Sequence, residues 1–235
     1  MATTSSPDAD AIAGIALMTD LPFDLLKEAA AMARMQHIAR DTVIFAQGEQ
    51  AGRAHALLSG CVRITQAGSD GEEILIRVIG PNEIFGCVPI VTDRLYPADA
   101  TAMVDSVEIS WDPADLLALM RRHSAIAINM VAILGKRIGE AQERLRELAT
   151  QSADRRIART LLRLVEQAGE ATETGIRIGF PLRRKDIADI AGTTLHTASR
   201  IVADWERRGL LFSRKRQLVI SSPEEIAQIA ETPDR

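Results

Sequence analysis

Residues 183–211 read RRKDIADIAGTTLHTASRIVADWERRGLL. Apolar residues recur in this stretch at helical spacing: Ile187, Ala188 and Ile190 in a first segment, Ile201, Val202 and Trp205 in a second. Ala191-Gly192 between them supplies a tight turn, so residues 186–208 are predicted to form a helix-turn-helix. Turning its apolar residues inward leaves the second helix with an outward stripe of Thr194, His196, Thr197, Ser199 and Arg200 near its N-terminal half. Hydrogen-bonding groups loaded at that end suit a helix that enters the major groove of double-stranded DNA end-on. Arg200 can pair bidentately with guanine O6 and N7, and Ser199 can bond a base or a phosphate. His196 can donate or accept, and an exposed Leu195 meets a thymine methyl. Arg183, Arg184 and Lys185 before this helix, and Arg214, Lys215 and Arg216 after it, are expected near phosphates. The candidate DNA-reading set is therefore Arg184, Thr194, Leu195, His196, Thr197, Ser199 and Arg200.

Working outward, residues 151–235 read as a helix (ADRRIARTLLRLVEQAG), a strand (GIRIGFPL), the two helices above and a hairpin (LLFSRKRQLVI). Residues 124–148 contain no proline and place Ala127, Val131, Leu134, Ile138, Ala141, Leu145 and Leu148 at alternating intervals of four and three. That is a heptad seam, and the polar residues between its positions leave little else to bury, so it predicts a dimerisation helix. Between residues 42 and 110 the period changes to short β-rich runs (VIFAQGE, AHALLSGCVRITQ, EEILIRVIG, PADATAMVDSVEISW), with a hairpin turn GSDGEE at 68–73. Runs at this spacing predict a small antiparallel barrel or jelly roll. Residues 9–38 read as helical around Leu21-Pro22. The expected architecture is α+β: N-terminal helices and an antiparallel barrel or jelly roll over 1–120, a long dimerisation helix over 121–150, and a helix-turn-helix domain over 151–235.

Charge follows the same division. Residues 151–235 carry 15 basic and 12 acidic side chains, a net of +3, whereas the first 150 carry −7 of the total of −4. A basic segment behind an acidic one points to two domains with different partners. The two cysteines, Cys61 and Cys87, are too few for a disulfide framework or a four-thiolate site, which fits a reducing, cytoplasmic setting. The N-terminus lacks a basic n-region and a long apolar run, and no stretch reaches ~18 uninterrupted apolar residues, so no membrane partner is expected. Nor is an enzyme expected: G-x-S-x-G, H-E-x-x-H and P-loop motifs are missing, and His37, His55, His123 and His196 share no metal-ligand spacing.

Nearly the whole chain resembles the Crp/Fnr family of bacterial transcription regulators. The resemblance lies in FAQGEQAGRAHALLSGCVRI, GPNEIFG, RELATQSADRRIARTLLRL and the 183–211 stretch, with Gly48, Gly60, Gly80 and Gly86 standing where the family's β-roll uses glycine. It implies a cyclic-nucleotide-binding-like β-roll sensor domain over 1–120, a winged helix-turn-helix over 151–235 and a homodimer on a pseudo-palindromic site. The dimer seam would be Val131, Leu134, Ile138, Ala141, Leu145 and Leu148, and RNA polymerase a further partner. The implied effector pocket holds Phe85, Gly86, Cys87, Tyr96, Ala141 and Gln142.

Departures from the family bear on the signal. Where cyclic-nucleotide-binding members carry an Arg-Ser pair for the phosphate, this chain has Tyr96-Pro97, which removes a bidentate cation and a backbone N–H. Where they contact adenine through Thr-Ser, it has Ala141-Gln142. Cyclic AMP is therefore disfavoured, and the lack of cysteine in the first 60 residues excludes an N-terminal iron–sulfur cluster. The TTLHTASR helix is most similar to cluster-free denitrification-type regulators that respond to nitric oxide, some through haem. That makes haem a candidate cofactor, with His37, His55 and Cys87 as candidate ligands and Met103 a poor fourth. A regulator with no ligand, controlled by its abundance or by cysteine oxidation, stands beside this reading, as does a cyclic-AMP-type regulator. His196 replaces the glutamate with which ordinary members read cytosine N4.

Overall fold

The computed structural model describes residues 4–68, 71–87, 95–214 and 216–232. The chain divides into one compact unit of Met1–Glu73 with Val78–Gly139 and a second of Ile74–Arg77 with Glu140–Arg235.

The first unit opens with β1 (Thr4–Ser5), α1 (Ala9–Ala13), a 3-10 turn at Ala16–Met18 and α2 (Phe23–Ala31). There follow β2 (Ala33–Ile38), β3 (Val43–Phe45), β4 (Ala54–Ser59), β5 (Val62–Ala67), β6 (Glu73–Ile79, of which Ile74–Arg77 belongs to the second unit), β7 (Ile84–Phe85), β8 (Asp99–Ala102) and β9 (Ser106–Trp111). Helices α3 (Pro113–Arg122) and α4 (Ser124–Thr150) complete it, and α4 continues past Gly139 into the second unit. The strands form two sheets, ordered β1-β2-β9-β4-β7 and β3-β8-β5-β6. The pairings β1–β2, β2–β9, β4–β9, β4–β7, β3–β8 and β5–β8 are antiparallel, as a β-roll requires. The hairpin expected at 68–73 joins neighbouring strands β5 and β6; its residues 69 and 70 lie outside the described residues.

Residues 33–38 depart from the helix expected over 9–38. They continue the helical spacing of Ala and Met but form a strand, because Ala33–Ile38 pairs with β9 on one side and β1 on the other. The helix stops at Ala31, and the apolar surface it buries includes Leu26 and Ala29. These residues share a core with Ile12, Ile15, Leu17 and Met18, the sheet residues Ala56, Ile109 and Trp111, and Leu116, Leu119, Ile126 and Met130 of α3 and α4. Trp111 satisfies its indole N–H inside this core by donating to the Ala29 carbonyl at 2.9 Å. A second, smaller core inside the roll gathers Phe45, Leu57, Val62, Ile79, Phe85, Tyr96 and Ala100. Each large apolar side chain so buried contributes roughly 1.5–3 kcal/mol before entropy is subtracted.

The second unit holds α5 (Ala153–Ala168), β10 (Gly169–Thr172), β11 (Gly175–Ile178), α6 (Arg184–Ala191), α7 (Leu195–Arg207), β12 (Leu211–Arg214), β13 (Gln217–Ile220) and α8 (Pro223–Glu231). Its sheet runs β10-β11-β13-β12, and α5 packs against α6, α7 and α8. Two elements exceed the sequence reading. Strand β10 turns the expected single strand into a hairpin, although all four of its residues are exposed. Helix α8 seats Ile226 and Ala230 in the core, with Pro223 in its first turn. Among the described residues no single helix is long and apolar enough to cross a membrane.

Candidate nucleic-acid interface

The geometry of α7 is set by what precedes it. Helix α6 starts on a doubly bonded pair: the carboxylate of Asp186, 3% exposed, accepts from the Arg183 backbone N–H at 2.7 Å and from the Arg183 guanidinium at 2.9 Å. It ends at Gly192, which takes the left-handed conformation (φ 62°, ψ 47°) while Thr193 N–H donates to the Ala188 carbonyl at 2.9 Å. A Cβ at Gly192 would lie 2.3 Å from a Leu148 methyl, so glycine serves both the dihedral and the space. Arg156 of α5 closes the turn. Its guanidinium donates to the carbonyls of Ala191 (2.9 Å) and Gly192 (3.1 Å), helix-end acceptors that α6 cannot satisfy itself, and to that of Gln151 (2.6 Å) just past α4.

Thr194 then caps α7, its hydroxyl accepting from Thr197 N–H at 3.1 Å and donating to the Thr197 hydroxyl at 3.0 Å. A cap of this kind stabilises a helix by about 1 kcal/mol. Ala198, Ile201, Val202 and Trp205 are buried beneath the helix, which leaves Leu195, His196 and Arg200 exposed and Ser199 half-buried on the opposite side. The structure thus groups Leu195, His196, Ser199 and Arg200 as an open surface and assigns the hydroxyls of Thr194 and Thr197 to the cap. Arg184, expected at the phosphates, instead donates to Glu206 at 2.8 Å and braces α6 against α7. Lys185 pairs with Asp189 at 3.1 Å. Arg214 and Arg216 are exposed at the β12–β13 hairpin, while Lys215 lies outside the described residues.

Along α4 the exposed apolar line is Ile128 (64%), Val131 (68%), Ile138 (59%) and Leu145 (67%), with Gly135 and Gln142 between. Leu134 turns from this line to pack on the core of its own unit. Ala141 is exposed, and Leu148 is 48% exposed beside Gly192. Of the seam expected from the heptads, Val131, Ile138 and Leu145 share the open face. Ile128 was missed because it lies outside the four-three spacing.

Of the expected effector residues, Phe85, Gly86 and Tyr96 meet inside the roll. The Tyr96 ring stacks on Phe45 at 3.8 Å between centroids and 11° between planes, and its hydroxyl donates to the Arg53 carbonyl at 2.7 Å. Cys87 lies in the other core of the unit, 4.0 Å from an Arg137 nitrogen; burial pushes its thiol up, against the pull of Arg137. Ala141 and Gln142 are exposed on α4 in the second unit.

The haem-ligand candidates do not converge. His55 is buried with Nδ1 3.0 Å from Glu108 Oε2 and Nε2 3.3 Å from Tyr96 Oη, so both ring nitrogens are engaged. His37 is exposed on β2, and Met103 Sδ lies 3.8 Å from Cys61 Sγ. Among the described residues no group of three or more His, Cys, Asp and Glu is placed to hold a metal ion. His55 and Cys87 do not fit haem as they stand, because an axial ligand needs a free lone pair facing open space and both are buried; His37 is open to solvent.

Known proteins match this arrangement. A cyclic nucleotide-binding domain model matches residues 35–123 and a Crp-like helix-turn-helix domain model residues 155–229. The cyclic AMP receptor protein of Thermus thermophilus is 31% identical over 168 residues, covering 72% of this chain and 74% of that protein. The chain belongs to the Crp/Fnr family. This Crp/Fnr protein is also 26% identical over 191 residues to a CRP-like cAMP-activated global transcriptional regulator of Mycobacterium tuberculosis, covering 81% of this chain and 85% of that one. A solved CRP-family transcriptional regulator from Thermus thermophilus superposes with a TM-score of 0.70 at 25% identity, over 84% of this chain and 97% of that one. The Crp/Fnr protein is a DNA-binding transcription regulator with a cyclic-nucleotide-binding-like N-terminal domain, and not an enzyme.

Proposed function

We propose that this regulator binds a pseudo-palindromic promoter site as a homodimer, reading each half-site with α7 under the control of a small signal received in the N-terminal unit. The observation that carries the reading is the open surface of Leu195, His196, Ser199 and Arg200 on a helix whose opposite face is locked into a core. Arg200 pairs with guanine, Leu195 packs on a thymine methyl, and Ser199 and His196 bond neighbouring edges or phosphates. Arg214 and Arg216 on the hairpin add phosphate contacts that strengthen binding without specifying sequence. The exposed apolar line on α4 supports a second copy as partner, since two α7 helices held about one helical turn of DNA apart are what a two-fold site requires. RNA polymerase is the expected further partner at the promoter.

For the signal, the relatives' names span cyclic AMP and nitrogen regulation. Tyr96-Pro97 in the roll disfavours a nucleotide phosphate, the engagement of His55 and burial of Cys87 disfavour nitric oxide sensed through haem, and burial of both thiols disfavours cysteine oxidation. Selection of bound duplexes from a random library, followed by gel-shift titration, tests the DNA reading: a two-fold symmetric consensus supports it, and equal affinity for all sequences refutes it. An anaerobic haem titration with absorption spectra before and after nitric oxide tests the haem route. A stoichiometric Soret band that shifts with the gas would put haem back ahead of the other signals.

A further inference from the structure

Tyr96 is held in the roll by every polar atom it has. Its backbone N–H donates to the Glu49 carbonyl at 2.9 Å, and its carbonyl accepts from Gly48 N–H at 2.8 Å. Its hydroxyl donates to the Arg53 carbonyl at 2.7 Å and accepts from Arg53 N–H at 3.2 Å, with His55 Nε2 3.3 Å from the same oxygen. His55 is in turn fixed by Glu108, and Arg53 by Ser110, whose Oγ and carbonyl accept from its guanidinium at 2.7 and 2.6 Å. The ring, 4% exposed, lies flat on Phe45, and Phe85 stacks on His55 at 5.1 Å. Gly86 completes the enclosure. A Cβ there would stand 2.9 Å from Phe45, 3.0 Å from His55 and 3.2 Å from Tyr96, so the backbone closes on the three rings with no room to spare.

A flat phenol is thus stacked on one face, enclosed by aromatic rings and bonded at its single hydroxyl, which is how a protein holds a bound aromatic ligand. We propose that Tyr96 is a tethered internal ligand: the roll contains a phenol-binding site that the chain's own side chain occupies, which closes it to a cyclic nucleotide. The proposal rests on reading the N-terminal unit as the sensing half, and it makes that half unresponsive to cyclic nucleotides. It also specifies what the site accepts once vacated. Truncating Tyr96 opens a cavity lined by Phe45, Phe85, His55 and Gly86, with the Arg53 amide at its polar end, and cavities of this apolar type admit small aromatic molecules.

Tyr96 is the sole tyrosine of the chain, so labelling with 3-fluorotyrosine reports on it alone. The full-length protein is expected to give one fluorine resonance, displaced from its position in urea by the stacked Phe45 ring and unmoved by millimolar cyclic AMP or cyclic GMP. A resonance at the unfolded position, or one that either nucleotide moves, overturns the proposal. In parallel, Tyr96→Ala is expected to lower Tm by on the order of 10 °C, and p-cresol to restore at least half of that loss. Wild type and Tyr96→Phe, whose rings still fill the site, are expected to show no p-cresol response. Stabilisation of wild type by p-cresol as large as that of Tyr96→Ala would refute the occupied-site reading. Should Tyr96→Ala fail to fold, the fluorine spectrum and the Tyr96→Phe comparison still decide it. None of these readouts involves DNA, so a failure of the operator-reading proposal leaves them intact, and the reverse holds.

Discussion

Replacing Ile138 with alanine should weaken the proposed dimer while leaving the protomer folded. Ile138 is 59% exposed on α4, in line with Val131 and Leu145. Burying a whole isoleucine side chain contributes roughly 1.5–3 kcal/mol, so covering the part still open contributes about 1–2 kcal/mol per protomer and about 2–4 kcal/mol for the symmetric pair. At about 1.4 kcal/mol per tenfold, the dimer dissociation constant should rise roughly 30- to 700-fold. Sedimentation equilibrium across a protein concentration series measures this directly, with thermal unfolding as the control for fold. The paired control is Leu134→Ala. Leu134 packs against the core of its own unit, so its loss should lower Tm by several degrees and leave the dimer constant nearly unchanged. An unaltered dimer constant for Ile138→Ala, or a monomer produced by Leu134→Ala with its fold intact, would refute this assignment of faces and restore the seam read from heptad spacing.

Arg200→Ala should cost about 1–3 kcal/mol per half-site and erase discrimination between operator and random duplex in gel-shift titrations. Arg156→Ala removes the donors to the Gln151, Ala191 and Gly192 carbonyls, so Tm should fall by about 5 °C, with Arg156→Lys recovering only part because an ammonium cannot span all three acceptors. Cys61 and Cys87 are both buried, and burial raises both thiols, so an aromatic disulfide reagent should leave the native protein unmodified and count two thiols only after denaturation. Burial also raises the Tyr96 phenol above its ordinary value of 10.0. The folded state therefore favours the neutral phenol: the stability this contributes is complete below pH about 10 and is lost as pH climbs through the folded value. Ultraviolet titration should show phenolate appearing above that pH, together with a falling Tm; ionisation at the free-tyrosine position in a still-folded protein would contradict the burial.

The DNA-binding half was legible in sequence because its determinants are local. The tight-turn glycine and two short apolar periods each act over a few residues, whereas Thr194, which caps the helix by accepting from the Thr197 N–H three residues on, reads in sequence as part of the DNA-facing stripe. The same locality explains the error at residues 33–38. Nothing within that segment opposes a helix; strands β1 and β9 make it a strand, and β9 lies some seventy residues away. Helix α4 shows a subtler ambiguity. It carries two apolar lines, one through Ile126, Met130 and Leu134 into its own unit and one through Ile128, Val131, Ile138 and Leu145 into the open. A four-three spacing drawn along such a helix passes from one line to the other, so period alone gives the element and leaves the face undetermined.

Arg184 and Tyr96 show the same limit at the level of single side chains. In sequence, Arg184 is one of three consecutive cations beside a DNA-reading helix, and solvated charge is the natural reading; Glu206, twenty-two residues on, converts it into a strut. Tyr96 reads as the loss of a phosphate-binding cation. Only with Phe45, His55 and Arg53 around it does the substitution become a gain, because the ring and hydroxyl that make it unfit for a phosphate are what the surrounding pocket holds. A family resemblance marks the positions at which an effector is expected. What those positions receive follows from the side chains that the fold brings against them, and in this chain they bring a stack and a hydrogen bond to a residue already present.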